Sequence, residues 1–211
     1  MGRLTGSVRP VAFREVLLCS VAMLSRRQVL RGVGCGLAAA AWPGVAGATL
    51  ARALSLPELV GYSQYALVGT ATDAYSRWET VGKSRRIVTY VRVEVTQPID
   101  GRPTPDSSVM LRTLGGRVGD LGQLVHGEAR FELDTPSVVF LNQDVDGVLG
   151  VTAMAQGHYP LRTPDGEAVM RLRASPNMPS LMGAEGSAVQ RLVHRTVFEA
   201  EGLVADIMRT R

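Results

Sequence analysis

The stretch IVTYVRVEVT (residues 87–96) carries the clearest structural pattern in this 211-residue chain. Valines recur at every second position from Val91 to Val95, and Arg92, Glu94 and Thr96 fill the positions between them. Successive side chains of a β-strand point to opposite faces, so this alternation is typical of a strand with one buried face. The stretch therefore predicts a half-buried β-strand.

Other strand-like segments lie on both sides of this stretch. Strands are predicted at residues 66–72, 109–114, 128–133, 138–141 and 148–155. A hairpin is predicted between residues 159–161 and 168–172, because Thr163-Pro164-Asp165-Gly166 is a strong turn sequence. Short strands separated by turn signals are typical of a small antiparallel barrel or sandwich.

Helices are predicted at both ends of this β-rich part. Ser55 and Glu58 have the Ser-x-x-Glu spacing of a capping box, which predicts a short helix to about Tyr65. Residues 187–209 place their apolar side chains along one helical stripe. The predicted fold class is therefore mainly β: a small antiparallel β-barrel or a sandwich, with a short N-terminal helix and an amphipathic C-terminal helix.

The first part of the chain has a different character. Arg26 and Arg27 stand in SRRQVLR (residues 25–31), ahead of a mildly apolar run rich in Gly and Ala. This segment resembles the twin-arginine translocation signal, whose pattern is Ser-Arg-Arg-x-Phe-Leu-Lys, with Val29 in place of Phe and Arg31 in place of Lys. The resemblance implies export of an already folded protein by the twin-arginine machinery.

The leader also contains candidate cleavage sites. Small residues precede the cut in signal peptides, so Ala46-Gly47-Ala48 is the predicted site and Ala51-Arg52-Ala53 the second choice. The apolar run spans roughly half of the about 20 residues that a membrane-spanning helix needs. Residues 1–48 are thus predicted to be a signal peptide, with Met23 as an alternative start. Residues 49–211 are predicted to form a single exported β-rich domain with no stable membrane span.

Charge and cysteine content change once the leader is set aside. The whole chain has a net charge of +4, but residues 49–211 contain 17 basic and 18 acidic residues, a net charge of −1. A nucleic-acid-binding domain carries a basic surface, so a nucleic-acid partner is not expected. Both cysteines, Cys19 and Cys35, lie in the leader. The exported domain would therefore have neither a disulfide nor a cysteine nucleophile.

The Gly-rich segment GGRVGDLG (residues 115–122) invites comparison with a phosphate-binding loop. Such loops lead directly into a helix, whose free N–H groups bind the anion. Here a strand-like segment follows and no Gly-Lys-Ser/Thr is present. A bulged turn between two strands is the favoured interpretation.

One set of residues suggests a metal site. His126 and Glu128 are two positions apart and would share a face of a strand, and His158 is able to complete a three-ligand site. This set supports the alternative function of a small metal-dependent hydrolase. The leading interpretation includes no cofactor.

The segment Arg77-Trp78-Glu79 is the candidate binding surface. A tryptophan between opposite charges beside a turn is typical of a recognition surface. The alternative is structural: Trp78 would plug the end of the barrel, with Arg77 stacked on its ring.

The order of the segments ALVGTAT, YVRVEVTQPIDG, SVMLRTLGG, GEARFEL and VVFLN after a helix resembles the netrin-like branch of the OB-fold. The resemblance covers about residues 66–161. That branch includes tissue inhibitors of metalloproteinases, which implies association with an extracellular protease. Their inhibition uses an N-terminal cysteine and disulfides that residues 49–211 lack, so no functional residue transfers. The chain also resembles uncharacterised exported bacterial proteins.

Together these observations predict an exported cell-envelope protein, periplasmic or secreted. Its expected role is non-catalytic binding. Its expected partners are the twin-arginine export machinery and a protein of the envelope or the extracellular space.

Overall fold

Strands dominate the fold, as the sequence predicts. The computed structural model describes residues 50–103, 106–144 and 146–210. Within these residues the strands are β1 (Leu50–Arg52), β2 (Tyr65–Val81), β3 (Ser84–Pro98), β4 (Ser108–Leu114), β5 (Gly116–Val118), β6 (Leu121–Gln123), β7 (Pro136–Gln143), β8 (Leu149–Val151), β9 (His158–Arg162), β10 (Arg171–Leu172) and β11 (Ser180–Met182). The helices are α1 (Leu56–Tyr62), α2 (Ala188–Leu192) and α3 (Val197–Arg209), with a 3₁₀ helix at Met154–Gly157.

Seven strands form one antiparallel sheet in the order β10–β9–β7–β2–β3–β4, with β8 paired to the end of β7. β2 and β3 form a long hairpin that ends at the pair Val81↔Ser84. The ladder between β2 and β7 ends earlier, at Thr70↔Pro136. Beyond Thr70, β2 therefore pairs only with β3 among the described strands, and this outer half of the hairpin extends past β7.

The central strands β2 and β7 are buried on both faces. Val68 and Phe140 belong to a hydrophobic cluster that includes residues of all three α-helices. The neighbouring Leu67 and Val139 belong to a second cluster, formed with residues of β3 and β4 on the opposite, concave face. This double burial explains why the sequence of β7, PSVVFLNQ, contains a continuous apolar run where β3 shows alternation.

Two register shifts in the β2–β3 ladder, at Val68/Gly69 and Ala71/Asp73, accompany the curl of the sheet. Gly69 permits close approach of the strands, since a Cβ there would lie 2.5 Å from Cγ1 of Val93. The curl brings β8 beside β4, where a Cβ on Gly150 would be 3.4 Å from the backbone oxygen of Arg112. The described strands form no β4–β8 ladder, so the predicted mainly β class is confirmed while the barrel stays open.

Helix α1 is confirmed together with its capping box. The backbone N–H of Glu58 donates to Oγ of Ser55 (3.4 Å), and the backbone N–H of Ser55 donates to Oε2 of Glu58 (2.8 Å). The single C-terminal helix predicted at 187–209 is wrong, because the chain leaves helical geometry after Leu192. His194 adopts a φ of 70° there.

The helix break has a physical cause in the sheet. The backbone N–H of His194 donates to the oxygen of Leu172 (2.8 Å), and the N–H of Leu172 donates to the oxygen of Arg195 (2.8 Å). These two bonds pair the backbone N–H and the carbonyl oxygen of Leu172 at the edge of the sheet, which a continuous helix would leave unpaired. A second capping box, between Thr196 and Glu199, then starts α3.

The predicted strand at 128–133 is also wrong. These residues form an irregular segment between β6 and β7, in which Glu128 and Ala129 are both buried despite their alternating pattern. The predicted strand at 148–155 is shorter than expected, since β8 ends at Val151 and a 3₁₀ helix follows. The predicted hairpin at the turn 163–166 is present as β9 and β10.

The N-terminal edge of the domain is fixed by β1. This strand pairs in parallel with β11, and the N–H of Ala53 donates to the oxygen of Met182 (2.9 Å). The side chain of Gln156 accepts from the N–H of Leu54 (2.9 Å) and donates to the oxygen of Arg52 (3.0 Å). Local and distant contacts thus hold the chain from its first described residues.

The predicted signal, including Arg26 and Arg27, lies outside the described residues. Among the described helices, none is long and apolar enough to cross a membrane.

Candidate functional site

A cavity of about 460 Å³ opens on the concave side of the sheet. Its walls include Thr89 and Val91 of β3, Thr113 of β4 and the irregular segment around Glu128 and Phe131. Binding sites for small molecules are commonly concave, with a mainly apolar lining and a few convergent polar groups. This cavity has that composition and is the candidate functional site.

The Gly-rich segment forms one side of the cavity. It folds as the small hairpin β5–β6 rather than as a loop leading into a helix, which agrees with the favoured interpretation of the sequence. Gly116 has a φ of 130°, and a Cβ there would lie 2.3 Å from both Oγ of Ser76 and Oγ1 of Thr89. Only glycine permits this approach, so the hairpin lies directly against the polar groups of β2 and β3.

Glu128 is the buried titratable group of the cavity wall, at 7% exposure. Burial raises the pKa of its carboxyl, although hydrogen bonds from the backbone N–H groups of Leu114 and Ala129 oppose the shift. The ion pairs among the described residues do not include this carboxyl. A buried carboxyl in a cavity wall is a common mark of a functional site.

The neighbouring polar groups are held by hydrogen bonds. Oγ1 of Thr89 donates to the oxygen of Gly115 (2.7 Å), and Oγ1 of Thr113 donates to the backbone oxygen of Thr89 (3.3 Å). Nδ2 of Asn177 donates to the backbone oxygens of Val125 (2.9 Å) and Glu128 (3.0 Å). Asn177 thereby holds the irregular segment in the position that places Glu128 in the wall.

The proposed metal ligands do not come together. His126 is exposed, whereas His158 is 1% exposed, with Nδ1 3.0 Å from Oγ of Ser175 and Nε2 3.3 Å from Oγ of Ser137. Burial lowers the pKa of His158 to about 4, so the ring is neutral at neutral pH. Across residues 50–103, 106–144 and 146–210, no group of three His, Cys, Asp or Glu side chains is placed to hold a metal ion.

Arg77, Trp78 and Glu79 lie within β2, not in a loop, and alternate between the faces of the hairpin. Trp78 is 38% exposed on the same face as Ala74 and Ser76, the face that bears the cavity. It therefore does not plug a barrel. The cation over its ring is Arg85, 5.3 Å from the ring centroid, and not Arg77.

Arg77 and Glu79 take part in a polar network on the opposite face. Arg77 lies 4.6 Å from the ring centroid of Tyr90 and donates to Oε2 of Glu79 (2.7 Å). Arg112, mostly buried, joins Glu79 to Asp144 and Asp146 of the turn between β7 and β8. These contacts tie the hairpin and β4 to that turn, which is a structural role. The predicted recognition surface stays a prediction, with Arg77 and Trp78 both exposed but on opposite faces of the hairpin.

Sequence reasoning missed most of the cavity. Thr89 and Thr113 face each other only through the β3–β4 register, and Asn177 comes from a distant segment that folds onto the cavity wall. Glu128 was singled out, but as a metal ligand on a strand. The available signal was the Gly-rich segment, because consecutive glycines permit close backbone approach.

Comparison of the chain with protein-family models, with curated proteins and with solved structures found no match.

Proposed function

We propose that this chain is an exported, non-catalytic binding protein whose binding site is the cavity beside Glu128. The observation that carries the proposal is a buried carboxyl, outside every described ion pair, in the wall of a cavity of about 460 Å³. Keeping such a group buried costs stability, and a bound molecule that pairs with it compensates for that cost. A metal-dependent hydrolase is not proposed, since His126, Glu128 and His158 do not form a ligand set.

The cavity is tested by filling it. Ala74 lines the cavity from an exposed position on β2, so Ala74→Trp places a large ring in it without replacing a core residue. The isotopically labelled protein is titrated with a diverse set of small molecules while its backbone amide signals are recorded by NMR. We expect binders to shift the signals of Gly115, Gly116, Glu128 and Ala129, and these shifts to disappear in Ala74→Trp.

The matched control is Tyr75→Trp. Tyr75 is the exposed neighbour of Ala74 and faces the other side of the hairpin. Its variant should bind as the parent does and unfold at the same temperature as Ala74→Trp. If no compound shifts the cavity signals, or if binding survives in Ala74→Trp, the proposed site is wrong.

Export is tested separately. The parent and the double variant Arg26→Lys, Arg27→Lys are expressed in a bacterium with a twin-arginine system, and compartment and mature N-terminus are measured. We expect the parent outside the cytoplasm with a new N-terminus at Thr49, and the variant uncut in the cytoplasm. An uncut cytoplasmic parent would contradict export while leaving the cavity proposal intact.

A further inference from the structure

Several polar side chains of the cavity wall already donate their hydrogen bonds to backbone oxygens. Thr89 and Thr113 donate their hydroxyl hydrogens to backbone oxygens, and Asn177 donates both amide hydrogens in the same way. Orientation of the Asn177 amide follows from these two carbonyl partners. The acceptors that remain include the Glu128 carboxylate and Oδ1 of Asn177, while Gln123, whose Oε1 accepts from the N–H of Ile87, keeps its NH₂ donors. The carboxylate and Oδ1 favour a ligand that presents hydrogen-bond donors.

The charge of Glu128 indicates which type of hydrogen-bond donor the ligand presents. Glu128 is ionisable and buried, and none of the described Lys, Arg or His side chains forms an ion pair with it. A protonated amine supplies both the hydrogen-bond donors and the opposite charge, whereas a neutral hydroxyl supplies only a donor. The inner part of the site therefore favours an ammonium group.

The opening of the cavity has the opposite charge. Arg117 of β5 and Arg130 line the cavity and are both exposed. Nε of Arg117 donates to the backbone oxygen of Gly119 (3.0 Å), which fixes the side chain and leaves its terminal nitrogens available. Guanidinium groups at the edge of a site bind carboxylate or phosphate oxygens. The buried and the exposed parts of the cavity lining thus carry charges of opposite sign.

Another part of the cavity wall is apolar. Leu124, Val125 and Phe131 line the cavity together with Val91. These side chains fit an aliphatic or aromatic body better than a second charged group.

The structure assigns to the cavity a small zwitterion with an apolar body, whose ammonium group pairs with Glu128 and whose acidic group contacts Arg117 and Arg130. This assignment rests on the proposed function of the cavity and adds the class of ligand.

The test uses three probes that differ by one charged group. L-leucine carries both groups, isocaproate lacks the amine, and isoamylamine lacks the carboxylate. Binding of each to the purified protein is measured by calorimetry and by the amide signals of Gly115, Gly116 and Ala129. We expect L-leucine to bind, and each analogue to bind at least about tenfold more weakly, because each loses one charge-assisted contact.

Variants assign each end of the ligand. Glu128→Gln should weaken L-leucine and isoamylamine at least about tenfold and leave isocaproate unchanged. The double variant Arg117→Gln, Arg130→Gln should weaken L-leucine and isocaproate and leave isoamylamine unchanged. Arg92→Gln, which replaces an exposed arginine of β3 that does not line the cavity, is the control for loss of a positive charge elsewhere on the surface.

The outcomes separate the two proposals. If other small molecules bind in the cavity but L-leucine does not, or if an analogue binds as well as L-leucine, the zwitterion is wrong and the cavity remains a binding site. If Glu128→Gln weakens isocaproate as much as isoamylamine, the ammonium contact is wrong. If no compound of any class binds, both proposals fail.

Discussion

The two faces of the sheet at β2 and β7 differ in how closely their side chains are packed. On the outer face, Val68, Phe140 and Tyr159 pack against α1 and α3 and are almost completely buried. On the concave face, Leu67 and Val139 are also completely buried in a packed cluster. Further along the β2–β3 hairpin the same face borders the cavity instead of packed side chains. The α-helices cover the outer face, whereas the irregular segment around Glu128 and the hairpin β5–β6 cover the concave face.

This contrast teaches where stability and binding are located. Side chains on the helix-covered face have packed neighbours on all sides, so their removal leaves a void. Side chains beside the cavity already face an open space, so their removal costs less. We therefore expect the outer face to determine stability and the concave face to determine what is bound.

The largest expected effect is the loss of Phe140. Its ring is 0% exposed and lies edge-on to Tyr159, with 6.1 Å between the ring centroids. Phe140→Ala should lower the free energy of unfolding by about 3–5 kcal/mol, measured by urea denaturation.

A matched valine pair makes the comparison quantitative. Val138 lies on the helix-covered face and Val91 in the cavity wall, and both are buried. Val138→Ala should cost about 1 kcal/mol more than Val91→Ala, because only the first substitution creates a new void. Equal losses would show that the cavity wall is packed as tightly as the helical side.

Stability should also depend on pH through His158. Its pKa is about 4 in the fold, below the ordinary 6.5, so the unfolded chain binds the proton more readily. The stability from this group is complete above about pH 6.5 and is lost as the pH falls towards 4. At most about 3 kcal/mol is involved.

The contribution of His158 is isolated by His158→Gln, since glutamine keeps hydrogen bonding to Ser137 and Ser175 but does not titrate. Glu128, with its raised pKa, works in the opposite sense and is common to both proteins. The difference in unfolding free energy between parent and variant should therefore fall steadily from pH 6.5 to 4. A constant difference would mean that His158 is not buried as a neutral ring.

The smallest expected effect on stability is that of Glu128→Gln. Burial disfavours the ionised carboxylate, so a neutral amide of the same shape should raise the free energy of unfolding at pH 7, by less than about 1 kcal/mol. Thermal unfolding without ligand measures this change. Clear destabilisation would make Glu128 a structural residue and remove the contrast between the two faces.

The sequence predicted those parts of the fold that depend on local patterns. The alternation in β3, the capping box at Ser55 and the turn at 163–166 each follow from neighbouring residues. The helix break at 193–196 was missed because its cause is distant: two backbone bonds from Leu172, which is more than twenty positions away. Apolar periodicity continues through the break and carries no trace of those bonds.

The candidate site was less accessible to sequence reasoning for the same reason. Glu128 alternates with Ala129 and Arg130 as a solvent-facing strand residue would, yet the amide of Asn177 holds this segment out of any ladder. Arg77-Trp78-Glu79 was predicted to form one recognition surface, although in a strand Trp78 faces the opposite side from Arg77 and Glu79. The residue types could be recognised in the sequence, but the face of the sheet on which each one lies follows only from the pairing of β2 with β3.

Strand β1 bears on how an exported chain would be trimmed. A cut after Ala53 would remove the whole of β1, together with the carbonyl of Arg52 that Gln156 binds, and would expose the edge of β11. A cut after Ala48 leaves Leu50–Arg52 in place. In a protein that crosses the membrane already folded, the hydrogen bond from the N–H of Ala53 to the oxygen of Met182 would protect the peptide bond after residue 53 from the protease. Folding before transport would then disfavour the second cleavage site.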